Sequence, residues 1–201
     1  MTPPQEARSS ALVMLGDGIG NIIEQSPLAR AVSSLYDVVD VWCPRSSSDM
    51  VSILAGMPGI RSVYAARSCV GDIREDGREP YDACFVVPLV SKVGPHKKVR
   101  YTNLYKAPDP SHRGNLVRSE ADVCLDVVRG LGWSGEMPAH YVAVSPYKGE
   151  LPPTPLVGIG AGGKANPYWR WKRYPRYAEV VEHVLEKDPQ VHFVLVGVET
   201  D

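Results

Sequence analysis

Short apolar runs alternate with stretches of helical periodicity along the first part of the chain. Buried strands are predicted at four of these runs: 11–15, 38–43, 61–66 and 83–90. Helices are predicted between them, from about Asn21 to Leu35 and over 49–56. Strands that alternate with helices form parallel sheets with helices packed on their faces. The pattern therefore predicts an α/β protein with a parallel sheet.

The middle of the chain has a weaker pattern. Residues 91–115 are rich in Pro, Gly, Lys and His, and we predict a long loop there. An amphipathic helix is predicted over 119–133, where Ser119 and Asp122 form a start that resembles a capping box. Within the first predicted helix, Pro27 should kink the helix or restart it, because proline lacks the N–H that bonds to the preceding turn.

The strand–helix pattern begins again after a Pro-rich segment. A strand is predicted at 155–160, a helix at 175–188 with Pro175 in its first turn, and a strand at 191–201. One helix and two strands cannot bury both faces of a sheet, so we expect only the beginning of a second domain. The predicted organisation is a disordered lead-in at 1–10, a Rossmann-like domain at 11–144, a Pro-rich linker at 145–155 and an incomplete second Rossmann-like domain at 156–201.

Composition and charge argue against several classes of protein. The 201 residues are 44% hydrophobic and 22% charged, with a formal net charge of −1, which favours a folded chain and gives no sign of a nucleic-acid partner. No apolar run approaches the roughly 20 residues of a transmembrane segment, and the N-terminus lacks the apolar core of a secretory signal. We therefore expect a cytoplasmic protein. The four cysteines are scattered without a CxxC pair, so no metal site is predicted.

The first predicted strand runs into a glycine-rich turn, GDGIGN, at 16–21. Glycine allows positive φ angles and close approach of a ligand, and the start of a helix offers N–H groups to phosphate or sugar groups. Gly16, Gly18 and Gly20 are therefore candidate substrate-binding residues. The spacing departs from a dinucleotide fingerprint, because Asn21 holds the third glycine position. A tight turn without a ligand is the alternative.

This turn also carries a carboxylate. Asp17 follows the first strand, and ligands of open α/β sheets bind at the carboxyl edge, so Asp17 is a candidate general base. A capping or turn-forming Asp is the alternative interpretation. Glu24, about one turn into the predicted helix, is a weaker candidate for the same role.

A second glycine-rich turn, GIGAGGK at 158–164, follows the first strand of the second domain. It ends in Lys but lacks the hydroxyl residue that holds magnesium in a P-loop. Lys172 stands shortly before the next predicted helix. A Lys in that position, facing a glycine-rich loop, is suited to bind phosphate.

Taken together, these motifs resemble glycosyltransferase family 9, the ADP-heptose:lipopolysaccharide heptosyltransferases and their relatives. The resemblance covers the strand, turn and helix LGDGIGNIIEQSPLARAV at 15–32, the helix SEADVCLDVVRGLGW at 119–133, and the strand, loop, helix start and strand at 156–163, 172–175 and 191–197. It implies the GT-B fold, in which two Rossmann-like domains face a cleft.

The resemblance also implies an activity. Family members transfer a sugar, heptose in the named enzymes, from a nucleoside diphosphate sugar to a cell-surface glycan or lipid-linked glycan such as lipopolysaccharide. The first domain would bind the acceptor and supply the base, and the second would bind the donor. No metal and no cofactor besides the donor substrate is implied, and contact with a membrane surface is compatible with such an acceptor.

The resemblance assigns roles to particular residues. Four residues match the family's donor-side loop: Gly160, Ala161, Gly162 and Gly163. Lys172 matches the family's phosphate-contacting Lys. Counted back from Pro27, the family's catalytic Asp falls on Asn21, and an amide cannot act as a base. Either Asp17, four residues earlier, takes that role, or the chemistry differs.

Two other functions stay open at this point. An NAD-dependent oxidoreductase is supported by the spacing of Gly16 and Gly18, and by Asp40 near the end of the second strand, where it could contact a ribose. A non-catalytic binding protein derived from the same fold is supported by Asn21, which would mark lost chemistry.

Overall fold

A computed structural model describes residues 9–16, 18–44, 50–66, 80–88, 90, 95–115, 117–143, 149–160 and 175–195. Several predicted positions lie outside these residues: 1–8, Asp17, Ala161, Gly162, Gly163 and Lys172. The chain forms two units, Met1–Ser145 and Pro146–Asp201, and each unit has a sheet of its own.

The first unit is built on a five-stranded parallel sheet with the strand order β3-β2-β1-β4-β5. The strands are β1 (Ser10–Met14), β2 (Val38–Pro44), β3 (Ser62–Ala66), β4 (Tyr81–Val86) and β5 (Tyr101–Lys106). The first four lie at the predicted apolar runs, although β4 ends before the predicted boundary. The predicted α/β class with a parallel sheet is confirmed.

β1 is the centre of the sheet because it pairs with β2 on one side and with β4 on the other. Every side chain from Ala11 to Leu15 is 0% exposed. A parallel strand covered on both faces contacts apolar neighbours in both directions, so it has no polar positions. This burial explains why 11–15 is an uninterrupted apolar run.

The sheet begins inside the segment predicted as a disordered lead-in. The backbone N–H of Ser9 donates to Asp37 Oδ2 at 3.0 Å, and that of Ser10 donates to Asp82 Oδ2 at 2.7 Å. Asp37 directly precedes β2, and Asp82 belongs to β4. These two carboxylates tie the start of β1 to its neighbours, so the prediction of disorder is wrong for Ser9 and Ser10.

A proline lies inside the first helix without interrupting it. Helices described in the first unit include α1 (Ile19–Val32), α2 (Met50–Leu54) and α3 (Glu120–Arg129). Pro27 of α1 has no N–H for the carbonyl of Ile23, four residues earlier. The hydroxyl of Ser26 donates to that carbonyl at 2.8 Å instead. A side chain thus replaces the missing backbone hydrogen bond, and the predicted restart of the helix is wrong.

The amphipathic helix α3 has the predicted start. The hydroxyl of Ser119 accepts from the backbone N–H of Asp122 at 3.2 Å, which caps the helix. Its apolar residues Val123, Leu125 and Val128 are buried. α3 packs against α1.

The region 91–115, predicted to be a long loop, contains a strand. β5 forms the edge of the sheet beside β4, and the ring of Tyr105 stacks on Phe85 with centroids 5.0 Å apart. Two short 3₁₀ helices flank the strand: Pro95–Lys98 and Arg113–Asn115. All six residues of β5 are exposed or half-buried. An edge strand is covered on fewer sides, so its sequence lacks the apolar run by which β1 is recognised.

The second unit has a parallel pair of strands, β6 (Leu156–Ile159) and β7 (His192–Leu195), separated in the chain by α4 (Tyr177–Lys187). Arg176 is the N-cap of α4, so Pro175 precedes the helix rather than lying in its first turn. α4 buries none of its residues. Among the described residues of this unit, five large apolar side chains are exposed: Leu151, Val157, Val180, Leu185 and Leu195.

A network of ion pairs covers one side of α3. Arg118 and Arg129 each bond to Asp122 and Asp126, with N–O distances between 2.6 and 2.8 Å. Hydrogen bonds, the strongest from Arg118 and a weaker one from Arg129, lower the pKa of Asp122. The same two arginines lower the pKa of Asp126 to about 2. A lowered carboxyl pKa stabilises the folded chain above about pH 4, and this contribution is lost as the pH falls towards the folded pKa.

Arg118→Gln should therefore reduce the acid sensitivity of the first unit. The variant should be less stable than the wild type at pH 6, and the difference should shrink as the pH falls below about 4 and the carboxylates take up protons. Urea unfolding at a series of pH values measures this. Arg100→Gln, at an exposed arginine before β5, is the matched control. Identical pH profiles for Arg118→Gln and the wild type would contradict the prediction.

Candidate active site

The strand order of the first sheet reverses between β1 and β4. The chain continues from β1 to β2 on one side and from β4 to β5 on the other. In open α/β sheets such a reversal leaves a crevice at the carboxyl ends of the two strands, where ligands bind. The N–H of Val87 donates to the carbonyl of Met14 at 3.3 Å, so these two ends lie side by side. The first glycine turn starts here, at Gly16.

The turn leads into the N-terminus of α1. Gly18 is the N-cap, with a φ of 90°, in the left-handed region that glycine adopts without strain. Glycine has no side chain with which to cap the helix, and the first turn of α1 has no acidic residue. Gly20 and Asn21 in that turn are exposed. The positive end of the helix dipole therefore lies at the carboxyl edge of the sheet, where it favours anionic and hydrogen-bond-accepting ligands.

A buried glutamine holds the start of the turn. The backbone N–H of Gly16 donates to Gln25 Oε1 at 2.7 Å, and Gln25 Nε2 donates to Glu120 Oε1 at 2.5 Å. Gln25 is only 3% exposed. Sequence reasoning missed this residue. The available signal was a lone glutamine on the apolar side of a predicted helix, between Ile22 and Leu28.

The structure brings part of the predicted site together. Two of the predicted residues, Gly16 and Gly18, lie in the glycine-rich turn itself. Gly20 and Asn21 follow as the second and third residues of α1. Gly160 directly follows β6 in the second unit, and a methyl group there would meet no atom within 4 Å. The remaining candidates, Asp17, Ala161, Gly162, Gly163 and Lys172, lie outside the described residues, so their roles stay predictions.

Asp40 does not occupy the position of a ribose-binding carboxylate. It is the third residue of β2, pairs with Leu12 of β1, and is 0% exposed. Its carboxylate accepts from the hydroxyl of Tyr81 at 2.6 Å and from the guanidinium of Arg61. Burial, and the hydrogen bond that its hydroxyl donates to Asp40, raise the pKa of Tyr81. The expectation that Asp40 serves a ribose at the strand end is wrong, because β2 continues to Pro44 and the carboxylate is engaged inside the fold.

The segment 134–143 hydrogen-bonds to α1, and the N–H of its Ala143 donates to the carbonyl of Ile53 in α2 at 2.6 Å. The N–H of Tyr141 donates to the hydroxyl of Ser26 at 2.8 Å, and Arg30 donates to the carbonyl of Ala139 at 2.8 Å. His140 Nε2 lies 3.6 Å from Glu24 Oε2. Glu24 is exposed, and this pairing places its carboxylate beside an imidazole.

The described part of the chain has neither a membrane-spanning helix nor a cluster of metal-ligating side chains. No described helix is long and apolar enough to cross a membrane. Among the described residues, no group of three or more His, Cys, Asp or Glu side chains could hold a metal ion.

Comparisons with known proteins found a likeness of fold. No family model matches the sequence, and no curated protein matches it. The crystal structure of the glycosyl transferase family 9 from Veillonella parvula DSM 2008 is similar, with a TM-score of 0.71 and 14% sequence identity. The similarity covers 96% of this chain and 64% of that chain. The predicted resemblance to glycosyltransferase family 9 is therefore confirmed as a likeness of fold, over a chain that spans about 64% of that structure's length.

The glycines of the turn should differ in their tolerance of alanine. A methyl group at Gly16 would lie 3.1 Å from Gln25 Nε2 and 3.2 Å from Gln25 Oε1. A methyl group at Gly20 would have no neighbour within 4 Å. Gly16→Ala should lower the free energy of unfolding by about 1–3 kcal/mol, the usual cost of overpacking. Gly20→Ala should raise it by up to about 1 kcal/mol, since alanine is the better helix former. Chemical unfolding compares the two, and a Gly16→Ala variant as stable as Gly20→Ala would contradict the packing argument.

Proposed function

We propose that this protein is a glycosyltransferase that moves a sugar from a nucleoside diphosphate sugar to a hydroxyl group of a glycan or lipid-linked glycan. The observation that carries the proposal is the similarity to the family 9 structure over 96% of the chain. In the proposed reaction the acceptor oxygen bonds to the anomeric carbon, the bond from that carbon to the diphosphate breaks, and the nucleoside diphosphate leaves. A base takes the acceptor's proton.

The first unit is the proposed acceptor site. Asp17 is the proposed base, because it stands between Gly16 and Gly18, which begin the turn at the carboxyl edge of β1. Asn21 can donate and accept hydrogen bonds but cannot take a proton, so we assign it to binding the acceptor or orienting its hydroxyl. Gly20 has open space above its backbone, which suits close approach of a sugar.

The second unit is the proposed donor site. Four residues would form the loop that receives the diphosphate: Gly160, Ala161, Gly162 and Gly163. The ammonium group of Lys172 would offset the negative charge that develops on the leaving diphosphate. With cationic and N–H groups in that role, we propose a reaction that needs no metal ion.

The finer identity of the substrates also belongs to the proposal. Heptose is the proposed sugar and lipopolysaccharide core the proposed acceptor, because these are the substrates implied by the sequence resemblance. The reaction would then take place in the cytoplasm, where nucleoside diphosphate sugars are used, with peripheral contact to the membrane that carries the acceptor. No nucleic-acid partner is proposed.

A non-catalytic binding protein is the second candidate, and one observation favours it. Asn21 replaces the carboxylate that the resemblance expects at that position, and it lies exposed at the start of α1. An oxidoreductase loses its main support, since the carboxylate of Asp40 bonds to Tyr81 and Arg61 within the fold.

Substitution of the proposed base tests the function. With a panel of nucleoside diphosphate sugars and glycan acceptors, Asp17→Asn should lower kcat by about 10²–10⁴-fold, the usual contribution of a general base, while donor affinity stays unchanged. Asp37→Asn is the matched control, because Asp37 precedes β2 at the amino ends of the strands, whereas Asp17 follows the carboxyl end of β1. The amide oxygen of the new side chain can still accept from the N–H of Ser9. Release of nucleoside diphosphate measures turnover. A wild type that binds a donor or acceptor but never turns over would favour the binding protein.

A further inference from the structure

We propose that Gln25 is a positioning residue of the candidate active site. Its buried amide, oriented by Glu120, holds the peptide of Gly16 and thereby sets how the turn at 16–21 presents its groups to substrate. The kinetic part of this inference rests on the proposed glycosyltransferase function. The structural part rests on contacts within the first unit alone.

The position of Gln25 is unusual for its chemistry. The side chain is 3% exposed, and its neighbours on the same side of α1, Ile22 and Leu28, are 0% exposed. Burial of an amide is unfavourable unless its polar atoms are hydrogen-bonded. An apolar residue would fill this site without that requirement, so the hydrogen bonds of Gln25 are its distinguishing contribution.

Both ends of the amide have a partner, and the partners fix its orientation. A carboxylate oxygen only accepts, so the NH₂ group of Gln25 must face Glu120 Oε1, at 2.5 Å. The amide oxygen then faces the N–H of Gly16, at 2.7 Å. Glu120 thus determines which end of Gln25 meets the turn. Reversing the amide would set two donors against each other and leave the carboxylate without its partner.

Gly16 is the point where the sheet ends and the turn begins. The preceding residue, Leu15, still donates to a strand carbonyl, that of Trp42, at 2.9 Å. Gly16 comes after the last residue of β1, and its N–H is directed to a side chain instead. Asp17 is the next residue in the chain, so the anchored residue is the direct neighbour of the proposed base.

The same bridge joins the turn to a second helix. Glu120 is the first residue of α3, where a carboxylate is favoured by the helix dipole, and Ser119 caps that helix. Through Glu120 and Gln25, the start of α3 and the start of the turn are held in one hydrogen-bonded chain. A loss at either residue should therefore reach Gly16.

Three variants separate positioning from packing. Gln25→Leu keeps the volume and removes both hydrogen bonds. Gln25→Glu sets two carboxyl groups against each other, so the bridge can form only when the pair holds a proton, which favours low pH. The double exchange Gln25→Glu with Glu120→Gln restores one carboxylate and one amide. Gln190→Leu, at an exposed glutamine of the second unit, is the control.

Two readouts are needed. The first is hydrogen exchange at the amide of Gly16, corrected for the intrinsic rate at each pH, with the amide of Val13 in β1 as an internal reference. Gln25→Leu should speed exchange at Gly16 by about tenfold or more, the scale of a lost buried hydrogen bond, and leave Val13 protected. The second is kcat across pH. Displacement of a reacting group by about 1 Å can cost on the order of 10²-fold, so kcat should fall while the KM for the donor is unchanged.

The pH profile identifies a positioning role. Relative to the wild type, Gln25→Glu should lose most activity at high pH and recover as the pH falls, and the double exchange should regain activity at all pH values. Gln190→Leu should change neither readout. Unchanged exchange at Gly16 in Gln25→Leu, or a kcat that stays at the wild-type level in Gln25→Leu and Gln25→Glu, would overturn the inference. A wild type without turnover on any donor would overturn the proposed function, and exchange at Gly16 would still decide whether the bridge holds the turn.

Discussion

The buried end of β1 has to satisfy its backbone hydrogen bonds, and the arrangement of the first unit depends on how it does so. Inside the sheet, neighbouring strands supply the partners, and the last of these bonds joins Leu15 to Trp42. Beyond that point the chain must turn while still buried, and an unpaired N–H there would be costly. Gln25 supplies the missing acceptor from α1, the helix that follows the turn. The turn and its helix are therefore tied back to the strand that precedes them.

This solution leaves chemistry at the edge of the sheet. Gln25 anchors the backbone of Gly16. The chain can then continue through Gly18, which has a left-handed φ of 90°, and begin α1 without a capping side chain. The helix N-terminus then lies where the strand order reverses, which is the usual ligand-binding position in folds of this class. Under the proposed function, this position would bind the acceptor and remove the proton from its hydroxyl group.

Much of the fold follows from the sequence because burial leaves a clear pattern. β1 is covered on both faces, and its apolar run is uninterrupted; α3 carries its Ser119 cap where the pattern predicts it. The failures have physical reasons. β5 lies at the edge and is half exposed, so it looks like a loop, and Pro27 continues a helix because Ser26 replaces its hydrogen bond.

The candidate site was only partly predictable for a similar reason. The glycines of the first turn are recognisable because their spacing is local. Gln25 and Glu120 are 95 residues apart and meet only through the packing of α1 against α3, which no local pattern records. Asp40 has the spacing of a ribose ligand, yet its carboxylate is bonded to Tyr81 and Arg61. Tyr81 is the first residue of β4, and Arg61 directly precedes β3.

Mass spectrometry of the acceptor tests the central claim most directly. The protein is incubated with a nucleoside diphosphate sugar and a glycan acceptor, and the acceptor mass is compared with the amount of nucleoside diphosphate released. The account predicts that the acceptor gains the mass of one sugar residue for each nucleoside diphosphate formed. Binding of the acceptor with no change in its mass, across donors that include ADP-heptose, would contradict the account and indicate a binding protein built on the same fold.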